Sequence, residues 1–309
     1  MYPSSNQDRS VALGTFDGVH LGHKELLRQT VINKPTDGQS AVFMFDYPPE
    51  QFFSRNIRLI TDLSQKQQFI LATGIEQIVC VKFSQTMAKF SALDFIKTIL
   101  VDTLQATQIT CGFNFRFGYK AEGNPEFLAR YATQFDYRLN VVPPYLVDGE
   151  PISSTRIRGL LEHGEVDRVA KLLGRYHSYM GTVTKGHQRG RTLGFPTANM
   201  QLKSELVLPS DGVYFTWCYL ADGQSYPAMT SVSNNPTFAG SNKTVETYIL
   251  GFNGDLYDKT IELQFLERIR NIHQYASYEE LIQQLEEDRK FVMTLLPAYH
   301  LQANRIVLQ

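Results

Sequence analysis

At 309 residues, with Lys+Arg 30 against Asp+Glu 31 and a net charge of −1, the chain is too long for one ordinary core and too evenly charged for a broad nucleic-acid surface. Two domains are expected, and any phosphate-bearing ligand should be held in a local site. The polar start from Met1 to Arg9 lacks the apolar core of a signal peptide, and no apolar run is long enough to span a bilayer; a cytoplasmic protein that does not meet membranes is expected. Cys80, Cys111 and Cys218 are odd in number, widely separated and without metal-ligand spacing, so buried reduced thiols are expected and a structural zinc is not.

The first element is a short apolar run, Val11-Ala12-Leu13, which reads as a buried strand. It leads through Gly14-Thr15-Phe16-Asp17-Gly18-Val19-His20-Leu21-Gly22-His23 into Lys24-Glu25-Leu26-Leu27-Arg28, the start of a helix. A glycine-rich turn between a strand and a helix N-terminus gathers N–H groups and the positive end of the helix dipole at one spot, which suits an anion. His20 and His23, three residues apart, would project from one face and donate to phosphate oxygens. A satisfied surface pair is the plain alternative for two histidines near a turn.

The whole string resembles the HxGH signature of the nucleotidyltransferase superfamily. Its form is the one typical of bacterial bifunctional riboflavin kinase/FMN adenylyltransferases, the FAD synthetases. The resemblance implies that Gly14, Thr15, Phe16, Asp17, His20 and His23 hold ATP phosphates, with the two histidines catalytic.

Next in order come a strand at Ala41 to Phe45, a helix near Asp62 to Thr73, a strand at Gln77 to Val81, a helix from about Ala92 to Leu100 capped by Ser91, and a strand at Gln108 to Cys111. This alternation predicts an α/β doubly wound parallel sheet, which takes its ligands beyond the carboxyl ends of the strands. Two further loops fit that place. Asp46-Tyr47-Pro48-Pro49-Glu50 carries Pro48 where the family often has a histidine, so only Asp46 is carried over. Gly112-Phe113-Asn114-Phe115-Arg116-Phe117-Gly118 matches the family's Gly-x-[Asn/Asp]-Phe-x-Phe-Gly; Asn114 would bind the nucleotide and the aromatics would either wall a flat ring or pack under a tight turn.

Ile152-Ser153-Ser154-Thr155-Arg156-Ile157-Arg158 reads by itself as a helix N-cap with two arginines able to clamp phosphate. It reproduces the family's SSTRIR motif, which implies that Ser154, Thr155 and Arg158 hold the triphosphate from the side opposite the histidines. A helix from Glu165 to Leu173 ends at Gly174, and beyond Arg175 the pattern becomes short alternating strands with turn signals at Asp222-Gly223 and Asn253-Gly254. A small closed antiparallel barrel is expected, followed by an amphipathic helix from Tyr278 to Leu295. The boundary is placed near Arg175, giving domains 1–175 and 176–309.

In the second half, glycines 186, 190 and 194 make a loop whose backbone can approach phosphates, and no P-loop string is present. Gly194-Phe195-Pro196-Thr197-Ala198-Asn199 resembles the GFPTAN signature of riboflavin kinases. By that resemblance Gly181, Gly186, Gly190, Gly194, Thr197 and Asn199 bind ATP phosphates, with Thr197 and Asn199 also on Mg²⁺. Glu246, by spacing alone a solvent-facing strand residue, occupies the family's position for the base that takes the hydroxyl proton. Asn235-Pro236-Thr237-Phe238 matches the family's N-P-T-F loop, with Ser233 where glycine is usual, and Arg270 to Tyr275 departs from the family's flavin-contacting string.

The resemblance covers nearly the whole chain and implies a two-module enzyme with small-molecule substrates and Mg²⁺. One module phosphorylates riboflavin to FMN with ATP; the other joins FMN and ATP into FAD and pyrophosphate. The alternatives are the same fold with only one activity, and a flavin- or nucleotide-binding regulator without turnover.

Overall fold

A computed structural model describes residues 8–53, 57–186, 190, 194–234 and 243–308. The chain forms two compact units, Met1–Ser154 and Thr155–Gln309.

The first unit is a five-stranded parallel sheet in the order β3-β2-β1-β4-β5, with β1 at Arg9–Leu13, β2 at Gln39–Phe45, β3 at Gln77–Val81, β4 at Ala106–Gly112 and β5 at Arg138–Val142. Strand β1 is buried along its whole length, as a central strand covered on both faces must be. One face packs on a core built around Phe43, Phe95, Ile96, Ile109 and Leu128; the other packs on Phe16, Leu27, Val42, Met44 and Ile70. Helix α1 (Leu21–Ile32) follows the opening turn, α2 (Pro49–Phe53) and α3 (Leu63–Leu71) follow β2, and a helix begins at α4 (Ala92–Asp94) with Ser91 accepting from the Asp94 N–H. That helix continues from Phe95 to Thr103 as a π-helix, a form that residue periodicity does not announce. The sequence expectation also passed over α5 (Pro125–Tyr131), capped by Asn124, and the short strand β5, whose apolar residues are broken by Asn140. A short hairpin, β6 (Leu146–Val147) with β7 (Glu150–Pro151), precedes Ser154.

The second unit begins with α6 (Ser154–His163), most of which it contains, and α7 (Val166–Leu173), ended by Gly174 at φ 60°. A closed barrel follows: β8 (His177–Thr184), β9 (Thr197–Gln201), β10 (Gly212–Leu220), β11 (Ser225–Asn234), β12 (Lys243–Ile249) and β13 (Thr260–Arg270), in the order β10-β11-β12-β9-β8-β13. The compact units therefore divide ahead of the change of pattern at Arg175. The reason is local: Arg268 on β13 donates to the His163 carbonyl at 3.2 Å and to the Asp211 carbonyl at 2.8 Å, and Ser210 N–H reaches the Leu161 carbonyl at 3.1 Å, so the end of α6 is tied to the barrel. The C-terminal helix Tyr278–Leu295 packs through Ile282, Leu285 and Val292, and its buried Asp288 takes a forked pair of bonds from Arg270 at 2.7–3.0 Å. A last hairpin, His300–Gln302 with Arg305–Val307, closes the chain.

Inside the barrel, Thr216, Thr230 and Thr247 form a ladder across three strands, with hydroxyl separations of 2.7 and 2.9 Å. Buried hydroxyls are costly unless paired, and these pair with one another. His177 is different. It is 1% exposed, and neither ring nitrogen has a partner among the described residues. Burial first, and the Arg175 guanidinium second, lower its pKa from 6.5 to about 3. The unfolded chain takes that proton near 6.5, so the stability due to the neutral ring is complete above 6.5 and is lost as the pH falls toward 3. The barrel should lose about 2 kcal/mol by about pH 5, and His177→Phe should flatten that slope. Denaturation followed by Trp217, the one tryptophan of the chain, measures it.

Of the thiols, Cys111 and Cys218 are buried, and burial pushes both up to about 12. Cys80 is half-buried, which corrects the expectation for that residue: it sits on β3, whose alternate positions are only partly covered.

Candidate active sites

The opening turn leaves the carboxyl end of β1 and becomes α1 at Leu21. Three features shape it. Phe16 at φ 52° and Val19 at φ 41° hold left-handed backbone that side chains disfavour, and Gly18 at φ 82° takes the position that only glycine fills without strain. The Asp17 carboxylate, 1% exposed, accepts from the Ile60 N–H at 3.0 Å and the Thr61 N–H at 3.4 Å, while Gly18 N–H donates to Thr61 Oγ1 at 3.2 Å. Asp17 was expected among the phosphate-binding residues; its carboxylate is engaged in bracing the turn from the segment before α3.

His20 is the N-cap of α1 and accepts the His23 N–H on Nδ1 at 3.2 Å, which leaves the ring proton on Nε2. The two imidazoles stack with centroids 3.6 Å apart and planes 16° from parallel, and Phe16 meets His23 edge-on at 5.3 Å. His23 Nδ1 is buried without a partner among the described residues. Burial, then His20, then Lys66 hold the His23 pKa well below its usual value, so this ring is neutral at physiological pH. The pair thus offers neutral N–H donors beside the N-terminus of α1, where an anion is favoured.

The second and third loops lie at the ends of β2 and β4. Asp46 accepts from Tyr47 N–H at 2.9 Å and Phe83 N–H at 3.2 Å. Asn114 is exposed in the turn closed by Phe115 N–H on the Gly112 carbonyl at 3.0 Å. The aromatics of this loop divide between the two readings: Phe117 belongs to the core, Phe115 stacks on it at 5.6 Å, and Phe113 is half-exposed. Ser154, first residue of α6, donates its hydroxyl to the Asp17 carbonyl at 2.9 Å. That uses its one hydroxyl proton. Thr155 is exposed and Arg158 half-buried on the same helix, in the second unit.

In the barrel, the expected loop from Gly186 to Asn199 is in part a strand. Thr197 and Asn199 lie on β9, because β9 fills the gap between β12 and β8 and takes its hydrogen bonds from both. Proline at 196 and the shortness of its alternation, with only Ala198 and Met200 on the apolar side, hid this strand. Directly opposed residues of an antiparallel pair share a face. Glu246 opposes Asn199, and Tyr248 opposes Thr197. Along β12 the residues Val245, Thr247 and Ile249 are buried while Glu246 and Tyr248 are half-exposed, so Thr197, Asn199 and Glu246 stand together on the outer face. Of the three, only Thr197 lines a neighbouring cavity of ≈ 350 Å³, whose walls also include Pro196, Thr247, Asn253, Asp255 and Tyr257. The loop residues Asn253 to Tyr257 were not expected to take part; the turn signal Asn253-Gly254 marked their place but not their use.

At two of the expected phosphate positions a side chain would displace a neighbour or meet main chain. A Cβ on Gly186 would stand 2.2 Å from Asn199 Nδ2, and one on Gly190 would stand 2.2 Å from the Phe195 carbonyl oxygen. A Cβ on Gly181 would stand 2.5 Å from the Gln201 carbonyl oxygen, a consequence of barrel packing, whereas Gly194 takes φ 81°. Gly186→Ala should turn the Asn199 side chain aside and slow the reaction at this face by about tenfold or more, with the reaction at the opening turn unaffected. Separate assays of the two steps described below measure this. Residues 187–189, 191–193 and the Asn235-Pro236-Thr237-Phe238 loop lie outside the described residues.

Comparison with known proteins assigns both halves. Residues 2–156 match the family model for FAD synthetase, and residues 173–296 that for riboflavin kinase. Bifunctional riboflavin kinase/FMN adenylyltransferases from Listeria monocytogenes (32% identical, 92% of this chain and 91% of that one), Pseudomonas fluorescens (34%, 87% and 87%) and Escherichia coli strain K12 (30%, 90% and 90%) align along nearly the full length. A crystal structure from Streptococcus pneumoniae, described as a macrolide-efflux protein, superposes with TM-score 0.86 at 32% identity, covering 94% of this chain and 95% of the other. Among the described residues no helix is long and apolar enough to cross a membrane. With a parallel-sheet unit carrying the HxGH turn, a barrel carrying GFPTAN, and relatives of this kind over nine-tenths of its length, the chain belongs to the family of bifunctional riboflavin kinase/FMN adenylyltransferases.

Proposed function

We propose that the chain's two reactions, phosphorylation of riboflavin and adenylylation of FMN, are divided so that residues 176–309 carry the first and residues 1–175 the second. The observation that carries this reading is the register of β12 against β9: Glu246 opposes Asn199, and Thr197, two residues earlier on β9, shares their face and lines the neighbouring cavity. In the first reaction the ribityl hydroxyl attacks the γ-phosphorus of ATP, ADP leaves, and Glu246 accepts the hydroxyl proton. Gly186 and Gly190 let the main chain approach the phosphates. The donors at Thr197 and Asn199 are oxygens, and among the described residues no cluster of His, Cys, Asp or Glu forms an all-protein metal cage. That set suits Mg²⁺, which keeps few protein ligands and completes its shell with water and phosphate. Held by Thr197 and Asn199, the ion would neutralise charge on the transferred phosphoryl group.

In the second reaction a phosphate oxygen of FMN attacks the α-phosphorus of ATP and pyrophosphate leaves. No covalent intermediate is needed, so the protein's work is to position the two phosphates and to offset developing charge. His20 and His23 donate from their ring nitrogens, the turn and the start of α1 donate main-chain N–H groups, and Thr155 and Arg158 close on the triphosphate. Ser154 acts through its own N–H, since its hydroxyl holds Asp17, and Asn114 meets the nucleotide. All ligands of this scheme are small molecules, and a cytoplasmic setting with reduced thiols suits it.

Incubation with riboflavin, ATP and Mg²⁺, followed by chromatography, should show FMN rising first and FAD after it. FMN without FAD overturns the reading in favour of a single activity, and no conversion overturns it in favour of a binding protein.

A further inference from the structure

Lys66 lies on the buried face of α3 in line with Leu63 and Ile70, a position at which the helix pattern asks for an apolar residue. It is 2% exposed. Its ammonium stands 3.3 Å from the Thr15 carbonyl oxygen and 3.5 Å from the Asp46 carbonyl oxygen. Those two residues leave the carboxyl ends of β1 and β2, the edge at which a parallel sheet takes its ligands. The titratable groups that face the amine are the carboxylates of Asp17 and Asp46, the Cys80 thiol on β3 and the His23 imidazole on α1. Burial pulls the lysine's pKa down, and Asp17, Cys80 and Asp46 offset part of that pull.

A buried ammonium is costly, and a leucine or methionine would fill the same space at lower cost, so core packing does not account for it. The geometry of the turn does. Phe16 and Val19 sit at φ 52° and 41° and would relax unless their surroundings over-determine them. The segment from Ile60 to Lys66 supplies that restraint, with Ile60 and Thr61 on the Asp17 carboxylate, Thr61 on Gly18, and Lys66 on Thr15.

We propose that Lys66 is a positioning residue for adenylyl transfer: its ammonium holds the Thr15 and Asp46 carbonyls inward and so fixes the turn from which His20 and His23 act as donors to the phosphates. This rests on the opening turn being the adenylylation site. A small misplacement of such donors, caused from outside the reacting atoms, lowers the rate by about 100-fold. The same charge also lowers the affinity of His23 for a proton, which ties the lysine to the pH dependence of the step.

The test compares the full-length protein with Lys66→Met and Lys66→Arg, measuring FAD formation from FMN and ATP across a pH series, with riboflavin phosphorylation in the same preparations as the internal control. Lys66→Met should lower kcat for FAD formation by about 100-fold, with a smaller change in the KM for FMN, and should move the acid limb of its pH profile to higher pH, because His23 loses a neighbouring positive charge. Lys66→Arg should recover most of the rate and keep the limb in place. An unchanged kcat and acid limb in Lys66→Met overturns the proposal. Equal losses in both variants, with lowered unfolding temperature and an unmoved limb, also overturn it by assigning the lysine to the core alone. Normal FAD formation in His23→Ala would sink the reading of the turn itself, whereas a collapse there beside a normal Lys66→Met sinks only the role given to the lysine.

Discussion

Glu246→Gln should abolish FMN formation from riboflavin, by about 100- to 10,000-fold, while FAD formation from supplied FMN proceeds at the normal rate. The substitution keeps the shape of the side chain and removes its capacity to take a proton. Its place on β12, opposite Asn199 and half-exposed on the outer face, means that no buried charge is left unpaired by the change, so the barrel should remain folded. Trp217 emission checks the fold, and chromatography of the two reactions run separately checks the rates. Equal loss of both steps would show that the two sites are not independent or that the base lies elsewhere.

The mirror-image result is expected for His23→Ala. FAD formation should fall by about 100- to 1000-fold, the loss typical when one preorganised donor to a developing charge is removed, with riboflavin phosphorylation intact. The change spares the helix cap, because His20 Nδ1 accepts the His23 main-chain N–H and not its ring. It also takes away a buried, unpartnered Nδ1. A loss of rate is therefore assignable to the His23 ring. Steady-state rates for each reaction, with FMN and then riboflavin as the starting flavin, measure it; a normal rate of FAD formation would remove His23 from the site.

What was legible in the sequence were features that a local string fixes. The opening turn, the parallel alternation up to β4 and the C-terminal helix from Tyr278 to Leu295 each depend on neighbours within a few residues. What escaped depends on partners far along the chain. Strand β9 is a strand because β8 and β12 leave a gap for it; the alternation in Thr197 to Gln201 spans only five residues and has just Ala198 and Met200 on its apolar side. The bracing of Asp17 by Ile60 and Thr61 spans more than forty residues and is made with main-chain N–H groups, which have no letter in the sequence. Lys66 could have been noticed as a charge on an apolar stripe, but its acceptors are carbonyls and were equally invisible. The division after Ser154 arises from Arg268 and Ser210 binding the end of α6, again across long separations.

The threonine ladder inside the barrel has a consequence for how errors in folding are rejected. Thr216, Thr230 and Thr247 meet only when β10, β11 and β12 pair in one register. If β12 slipped by one residue, every side chain on it would change sides: Thr247 would leave its partners stranded in the interior, and Glu246 would be driven inward with its charge. Each stranded hydroxyl costs about 1–3 kcal/mol, and the enclosed carboxylate costs more. The wrong register is thus penalised most at Glu246 itself. A barrel that has closed at all has already proofread the place of Glu246.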